Sequence, residues 1–225
     1  MMENIFATKE DLLTVIENEA HIRVDSFVQN AIDLAEEAHS DLKRDDGKSS
    51  FLETHIWPVT IDVIRHYNTT NKFLTSLQIV SSVLHDIMED DEKILDLYAS
   101  KSYGFDAYFR HRFGEYVYNV GYTLKTKPLE NYHGKTESEK QTARFLDYCV
   151  ALTKSDYDVK IIKLCDRLNN MKFISQNPNS AKISRYISEA EDFYIAFCVF
   201  PPTVKDFYAK MKETYNELKT LKIKV

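Results

Sequence analysis

Glycine and proline are scarce in this sequence, with five of each among 225 residues. So few breaks leave room for long regular segments, and the apolar residues recur mostly at the spacing of helices. The three cysteines, Cys149, Cys165 and Cys198, are odd in number and form no CxxC pair. They are therefore typical of buried thiols in a reducing compartment, and not of a disulfide or zinc framework.

Signals for secretion and for membrane insertion are missing as well. The segment from Met1 to Glu10 lacks the basic stretch followed by an apolar stretch that a signal peptide has. No apolar run approaches the length of a membrane-spanning helix. We therefore expect a cytoplasmic protein that does not associate with membranes.

Positive charge is also in short supply, since the net charge is −6 and the pI is about 5.7. Proteins that bind nucleic acids usually carry the opposite balance, so no nucleic-acid partner is expected. If the ligand is a polyanion, a metal ion and a few local cations must hold it. What the chain does have is 44% hydrophobic and 12% aromatic residues, which is enough for a proper core.

The periodicity of the apolar residues predicts an all-α fold with a single domain over residues 1–225. Thr8 with Asp11 resembles an N-cap with an acidic third position and opens a first short helix. The polar stretch from Lys125 to Lys135 predicts an exposed loop. No repeat, low-complexity tract or linker divides the chain. Further helices are predicted over residues 24–42, 58–66, 73–90, 105–123, 138–154, 157–174, 180–199 and 203–219.

A group of polar residues interrupts the apolar pattern of the helix predicted over residues 73–90. At about 100° per residue, His85, Asp86, Glu89 and Asp90 fall in one polar fan. Burying these groups is costly unless something pairs with them, and a divalent cation is an economical partner. The mixture of imidazole and carboxylate suits manganese, iron or zinc better than calcium. The alternative interpretation is that the adjacent histidine and aspartate occur by chance and lie on the surface.

A second stripe follows on the helix predicted over residues 157–174. Lys163, Asp166, Arg167 and Asn170 stand at i, i+3, i+4 and i+7, on one side of that helix. A carboxylate and two cations therefore line up where a core helix can face a cavity. An exposed intrahelical salt-bridge network is the alternative interpretation.

The order of these groups, His55, then His85-Asp86, then Asp166, resembles the HD-domain metal-dependent phosphohydrolases. Residues 84–91 are similar to the LHDxxEDT motif of the RelA/SpoT-type alarmone hydrolases, with Asp91 in place of Thr. Residues 163–171 are similar to their KLADRLHNM motif, with Cys165 for Ala and Asn169 for His. The resemblance covers about residues 30–200, and Ala38-His39, Arg44, Gly47 and Phe113-Gly114 are supporting matches.

The resemblance implies an HD-type helical bundle with a central metal site and assigns roles to ten residues. The implied ligands of one divalent ion, most often Mn²⁺ with Fe²⁺ or Zn²⁺ as alternatives, are His55, His85, Asp86 and Asp166. The implied acid and base are Glu89 and Asp90, in an order that the sequence leaves open. The implied substrate contacts are Arg44, Lys163, Arg167 and Asn170. A structural or packing role is favoured for His39.

The implied reaction is removal of the 3′-pyrophosphate from a guanosine or adenosine 3′,5′-bis-diphosphate. A bound divalent ion would lower the pKa of a water molecule and offset phosphate charge. Because the resemblance covers the hydrolase region alone, we expect a stand-alone hydrolase without a synthetase domain. Oligomeric state stays open, with a homodimer among the options. Aromatic residues that could form an interface or belong to the core are Tyr103, Phe105, Tyr108 and Phe109.

Three departures from the family pattern put the substrate in question. His55 and Pro58 are separated by two residues, Asp45 stands where a basic residue is expected, and Asp91 adds a negative charge. These departures leave two alternatives beside the alarmone hydrolase. One is an HD phosphohydrolase for another nucleotide, such as a nucleotidase or a cyclic-nucleotide phosphodiesterase. The other is an HD domain that binds a nucleotide without cleaving it.

Overall fold

The computed structural model describes residues 5–70, 72–90, 104–199 and 204–222. The side chain of Asp90 and the whole of Asp91 and Tyr103 lie outside the described residues. Within those residues the chain forms helices and turns, and its one β-bridge is the antiparallel pair of Lys43 and Ser50. The all-α prediction is therefore confirmed.

The described helices are those of residues 5–70, 72–90, 104–199 and 204–222. In chain order, the α-helices are α1 (Lys9–Asn18), α2 (Ser26–His39), α3 (Trp57–Thr70), α4 (Ser76–Val83), α5 (Ile87–Asp90), α6 (Gly104–Leu124), α7 (Glu137–Lys154), α8 (Tyr157–Gln176), α9 (Ser180–Glu189), α10 (Ile195–Phe197) and α11 (Phe207–Lys222). Two π-helical turns, Leu52–Ile56 and Ala190–Tyr194, lead into α3 and α10. The predicted loop contains one 3₁₀ turn, Leu129–Asn131.

Local signals account for several helix ends. The capping box at Thr8 is present, since its hydroxyl accepts a hydrogen bond from the Asp11 amide and the Asp11 carboxylate accepts one from the Thr8 amide. The prediction that the next helix runs to residue 42 was wrong, because α2 ends at His39. The chain then turns so that Arg44 can exchange backbone hydrogen bonds with the 47–49 turn.

The helix predicted over residues 73–90 is also wrong as a continuous element. Leu84 has φ −102° and ψ 12°, outside the helical range, and the chain makes a turn before α5 starts at Ile87. A helical wheel assumes a constant step of about 100° and cannot describe a pattern that crosses such a break.

Helix α8 lies at the centre of the fold and packs against α3 and α11. Its apolar face is fully buried at Ile161, Leu164 and Met171. Each such side chain stabilises the fold by roughly 1.5–3 kcal/mol relative to its exposed state. Phe105 and Phe109 of α6 are buried as well, which supports a core role for these aromatic residues and not an interface role.

One carboxylate joins four helices of this core. Asp158, near the start of α8, accepts hydrogen bonds from the hydroxyls of Tyr67 on α3 and Tyr116 on α6. Its second oxygen also accepts a hydrogen bond of 2.9 Å from the Gln78 amide on α4. Because the three partners come from distant parts of the sequence, this cluster fixes the position of α8 relative to α3, α4 and α6.

Two further expectations concern the environment of the chain. The three cysteines are buried free thiols, as predicted. Among the described residues, none of the helices combines the length and the apolar character that crossing a bilayer requires.

Candidate metal centre

Three separate parts of the fold deliver the four residues that the sequence assigns to a metal. His55 belongs to the π-helical turn before α3, in which the Trp57 amide donates to the Leu52 carbonyl. His85 and Asp86 form the turn between α4 and α5, and Asp166 lies on α8. His55, His85 and Asp166 expose 2%, 3% and 4% of their surface, so the centre is largely withdrawn from solvent.

The break at Leu84 determines how His85 and Asp86 are presented. On a continuous helix, adjacent side chains diverge by about 100° and cannot easily reach the same ion. The turn brings the His85 Nε2 atom to 3.3 Å from Asp86 Oδ2. The predicted polar fan was therefore wrong in its geometry, although the two residues do meet.

Three of the four proposed ligands form a tight group. His55 Nε2 lies 2.9 Å from Asp86 Oδ2, and one ligand atom each from His55, His85 and Asp86 lies within 4.8 Å of the others. Metal–ligand bonds of about 2.0–2.2 Å are compatible with donors at these separations. The three donors can therefore hold one divalent ion.

The outer nitrogens of both histidines are fixed by acceptors. His55 Nδ1 lies 2.8 Å from Asn169 Oδ1, and His85 Nδ1 lies 2.7 Å from the Ser82 carbonyl oxygen. If each Nδ1 carries the proton, each Nε2 presents a lone pair to the centre, as in metal-binding histidines. His85 Nε2 is buried and has no hydrogen-bond partner among the described residues. The donor set thus fits a metal that accepts from both rings.

Asp166 stands beside this group and is held by other residues. Its Oδ1 atom lies 3.5 Å from His55 Nε2, but its Oδ2 atom lies 2.8 Å from Lys163 Nζ, and Asn170 donates to Oδ1. Burial opposes ionisation of Asp166, but Lys163 and His55 outweigh it and lower the pKa of the carboxyl. Asp166 is outside the three-residue group, so the structure brings the predicted fourth ligand close without placing it in the same tight cluster.

The pKa of Asp86 is likewise set by two opposing effects, burial and the neighbouring charged groups. Burial alone would raise the pKa of Asp86, but His85 and His55 hold it below its ordinary range. Burial would also lower the pKa of Lys163, yet the adjacent Asp166 carboxylate raises it well above its usual value. Lys163 therefore stays charged at the wall of the centre.

Arg167 has a different partner from the one that its spacing suggested. Its Nη1 atom lies 2.6 Å from Glu189 Oε2 on α9, an ion pair without the alignment of a hydrogen bond. The guanidinium also lies 4.6 Å from the Tyr194 ring and 4.8 Å from the Tyr186 ring. The intrahelical salt-bridge alternative therefore describes Lys163 with Asp166, whereas Arg167 links α8 to α9.

An open cavity of about 300 Å³ leads to the centre. Its floor includes His55, Asp86 and Asp166, and its basic residues are Lys163, Arg167, Arg144 and Arg185. The aromatic residues around it are Phe51, Phe145, Tyr148, Tyr186 and Tyr194. We call this space the front cavity. A basic and aromatic lining of this kind suits a phosphorylated ring compound.

Several residues of the front cavity were not anticipated from the sequence. Arg144 and Tyr148 come from α7, and Arg185 and Tyr186 come from α9. No short motif contains them, because they reach the cavity from helices that are distant in sequence. Asn169, which contacts His55 from outside this cavity, was also not assigned a role, although the sequence departs from the KLADRLHNM motif at its position.

Glu89 lies on the same side as the metal group and lines the front cavity. Thr126 donates a hydrogen bond of 2.5 Å to its Oε1 atom. The surrounding protein partly desolvates the carboxyl and raises its pKa, while Lys163 acts in the opposite direction. The predicted partner acid, Asp90, cannot be compared because its side chain lies outside the described residues.

Arg44 is not among the described residues that line the front cavity. It is 8% exposed, and its guanidinium lies 4.3 Å from the Phe173 ring. The neighbouring Asp45 forms an ion pair with Lys182 at the start of α9, so its negative charge is compensated.

His39 packs beside the centre and lies outside the three-residue ligand group. It is fully buried, its ring centroid lies 5.2 Å from that of Phe51, and neither ring nitrogen has a hydrogen-bond partner among the described residues. Burial lowers the pKa of His39 to about 4, so the ring is neutral at pH 7. These contacts support the packing role favoured for His39.

Comparisons with known proteins bear on the fold. No protein-family model and no curated protein matches the sequence. The structure resembles a solved structure of a metazoan ortholog of SpoT, described as hydrolysing ppGpp and playing a role in starvation responses, with a TM-score of 0.61. The likeness covers 87% of this chain and 97% of that chain at 15% sequence identity. It confirms the all-α, HD-type bundle as the fold.

Proposed function

We propose that this chain is a metal-dependent phosphohydrolase that removes the 3′-pyrophosphate of a (p)ppGpp-like alarmone. Water replaces the 3′-oxygen of the nucleoside at phosphorus, so that pyrophosphate leaves and the 5′-phosphates stay on the nucleoside. The substrate is a guanosine or adenosine 3′,5′-bis-diphosphate, and the reaction takes place in the cytoplasm. The fold shared with a ppGpp-hydrolysing SpoT ortholog supports this choice.

The observation that carries the proposal is the buried His55–Asp86–His85 group at the floor of a basic cavity. Both histidines have their Nδ1 atoms engaged and direct their Nε2 atoms towards Asp86. A His-Asp pair that occurred on the surface by chance would not be buried. It would also not have the Nδ1 atoms of both histidine rings held by acceptors. The arrangement favours binding of a metal and a phosphate at the same place.

His55, His85 and Asp86 would hold the ion, and Asp166 would complete the set from α8. Mn²⁺ is the preferred ion, and Fe²⁺ or Zn²⁺ also suits this donor set. When bound, such an ion supplies a Lewis acid for water and for a phosphate oxygen. Lys163 then keeps Asp166 ionised and its carboxylate in place.

Glu89 and Asp90 are the proposed acid and base. Glu89 lines the front cavity and is oriented by Thr126, so it can accept a proton from the attacking water. Its raised pKa brings the carboxyl closer to the working pH of a general base. Asp90 would then protonate the leaving 3′-oxygen or fix the substrate.

Four basic residues would bind the phosphates of the substrate. Lys163 and Arg167 lie on the wall next to the centre, whereas Arg144 and Arg185 enter the front cavity from α7 and α9. Guanidinium groups offset phosphate charge and can bind two oxygens at once. Asn170 also lines the cavity and would contact the nucleotide.

A phosphohydrolase for another nucleotide is the second candidate. Arg44 is buried against Phe173 and bonded to Asn170, so it would have to reorient before it could contact a base. Asp45, in place of a basic residue, pairs with Lys182 and offers no phosphate contact. These two features favour a ligand with fewer phosphates than an alarmone.

Incubation with Mn²⁺ and a panel of nucleotides separates the two candidates. Release of pyrophosphate from 3′-pyrophosphorylated nucleosides alone is expected for the alarmone hydrolase. Release of inorganic phosphate from a nucleoside monophosphate, or opening of a cyclic nucleotide, would replace it with the second candidate. Binding without turnover in Mn²⁺, Fe²⁺ and Zn²⁺ would identify a nucleotide-binding domain.

A further inference from the structure

A second and larger cavity lies against another face of α8. We call it the rear cavity; its floor is formed by Pro58 and Ile61 of α3, Leu168 and Asn169 of α8, and Phe207 of α11. Its volume is about 610 Å³, compared with about 300 Å³ for the front cavity. Small-molecule sites typically occupy roughly 300–1,000 Å³. The metal centre does not account for this space.

The lining of the rear cavity is apolar and aromatic at its base. Pro58, Ile61 and Phe207 are buried core residues that nevertheless border the cavity. The rings of His66 and Phe207 lie 4.7 Å apart with an interplanar angle of 38°. Burial lowers the pKa of His66 to about 4, so its ring is neutral at pH 7. This surface suits a planar ring.

The charges around the rear cavity compensate one another. Lys172 and Lys210 are matched in number by Asp62 and Asp206. Arg65 is paired with Glu19, with 2.9 Å between Nη2 and Oε1. In the front cavity, four basic residues are matched in number by Asp86, Glu89, Asp166 and Glu189, so the proposed metal would supply the excess of positive charge there. A polyanion therefore favours the front cavity, whereas an uncharged ligand suits the rear cavity.

Asn169 connects the two sites. Its Oδ1 atom lies 2.8 Å from His55 Nδ1, yet the same side chain borders the rear cavity. Asn169 is 3% exposed, and its Nδ2 group donates no hydrogen bond to another described residue. Asn169 can thus donate to a ligand in the rear cavity while its oxygen orients His55.

We propose that the rear cavity binds an uncharged aromatic heterocycle of the nucleoside class, which accepts a hydrogen bond from Asn169 and thereby influences His55. The ring lies against His66 and Phe207, and Asn169 provides the directional contact. Any effect on metal affinity rests on the proposed function, because it requires His55 to be a ligand. Binding in the rear cavity does not depend on it.

Adenosine and guanosine are the probes for the site, titrated separately into metal-free protein by calorimetry. Thr69→Trp fills the rear cavity from its exposed edge. Thr220→Trp is the matched control, because Thr220 is also an exposed helical threonine whose hydroxyl bonds a backbone carbonyl, and it does not border the cavity. We expect Thr69→Trp to weaken binding by on the order of tenfold or more, and Thr220→Trp to leave it unchanged.

Absence of binding of both nucleosides at millimolar concentration would overturn the proposal. So would binding that Thr69→Trp leaves unchanged, because the ligand would then lie elsewhere. Tighter binding of the 5′-monophosphates that competes with Mn²⁺-dependent substrate binding would place the ligand in the front cavity and would also count against the proposal.

Two substitutions of Asn169 test the connection to His55. Asn169→Asp keeps an oxygen for His55 but removes the donor, so nucleoside binding should weaken while the His55 ring stays oriented. Asn169→Ala removes both groups and should perturb both. The readout is the His55 ring nitrogen signals in long-range ¹H–¹⁵N spectra, which should move on nucleoside addition to the wild type.

An unmoved His55 signal in the wild type at saturating nucleoside would refute the connection. Equal nucleoside binding by the wild type and Asn169→Asp would refute the proposed contact. Both measurements use metal-free protein and no phosphorylated substrate. A failed hydrolase assay therefore leaves these results readable, and a failed nucleoside titration leaves the hydrolase proposal intact.

Discussion

The guanidinium of Arg44 donates a hydrogen bond of 2.7 Å from Nη2 to the side-chain oxygen of Asn170. The family resemblance assigns a nucleotide contact to each of these residues, and here they bind each other. Asn170 in turn donates to Asp166. The chain of contacts therefore runs from the loop after α2 to the edge of the metal centre.

Arg44→Lys should reduce the stability of the protein. Lysine cannot both stack on Phe173 and reach the Asn170 oxygen with a planar group. The loss should be on the order of 1–2 kcal/mol, measured by urea unfolding. Asp45→Asn is the control, because it breaks the exposed pair with Lys182 and should cost less than about 1 kcal/mol. Equal effects of the two changes would mean that the buried contacts of Arg44 contribute nothing.

Asp86→Ala and Glu89→Gln should separate metal binding from turnover. Asp86 Oδ2 lies 2.9 Å from His55 Nε2 and 3.3 Å from His85 Nε2, so removal of Asp86 should abolish Mn²⁺ binding in calorimetric titrations. Glu89→Gln keeps the shape and should retain Mn²⁺ while turnover falls by roughly 10²–10⁴-fold, as general-base loss predicts. A fully active Glu89→Gln enzyme would show that Glu89 is not the base.

Tyr148→Phe should affect turnover without destabilising the fold. The Tyr148 hydroxyl is buried without a partner among the described residues, and Lys163 Nζ lies 5.0 Å from its ring. Burial raises the pKa of Tyr148, so the group remains a proton donor. If it donates to a bound phosphate, kcat should fall by about tenfold. Tyr208→Phe, at the surface, is the control, and identical kinetics for both variants would rule out this donor role.

His39→Leu should make the fold less sensitive to acid. The pKa of His39 is lowered from 6.5 to about 4 by burial, so between these values the unfolded chain takes up a proton that the folded chain does not. Stability is therefore complete above about pH 6.5 and falls towards pH 4, by on the order of 3 kcal/mol for this residue.

The measurement is urea unfolding in the presence of a chelator at pH 7 and pH 5. His39→Leu should lose less stability between the two values than the wild type does. A residual slope is expected because His66 has a pKa lowered to about 4 by burial as well. The same pH dependence in both proteins would contradict the assignment of the effect to His39.

Substitutions around Asp158 should destabilise the protein. Tyr67→Phe and Tyr116→Phe each remove one hydrogen bond and should cost about 1 kcal/mol. Asp158→Ala leaves all three donors without their acceptor and should cost more than either change. Unfolding midpoints of the single and double variants test this, and additive effects of the two tyrosine changes would mean that Asp158 does not couple them.

The sequence predicts helices well where their signals are local. The capping box at Thr8 and the apolar periodicity of α8 are such signals. It fails at Leu84, because the turn there is stabilised by the contact of His85 with the Ser82 carbonyl and by packing that a helical wheel does not contain. It also fails at His39, where a loop contact ends the helix.

The candidate site is predictable to the same extent. The order of His55, His85 and Asp86 along the chain resembles the family pattern, and that resemblance predicted the proximity that the structure shows. The partnership of Arg167 with Glu189, and the entry of Arg144 and Arg185 into the front cavity, depend on how α7 and α9 pack against α8. Such long-range contacts leave no spacing pattern in a single sequence. The roles assigned to these residues stay predictions.

If His85 and Asp86 bind one ion as proposed, the turn at Leu84 opposes a continuous helix through them, because a helix would direct the two side chains about 100° apart. If the helix of α4 ran on through these residues, adjacent ligands would separate and the ion would lose one of them. An ion bound by both residues would therefore act as a helix stop. A residue of higher helix propensity at position 84 would compete with metal loading without altering a proposed ligand, and chelation should let the 84–86 backbone sample helical conformations.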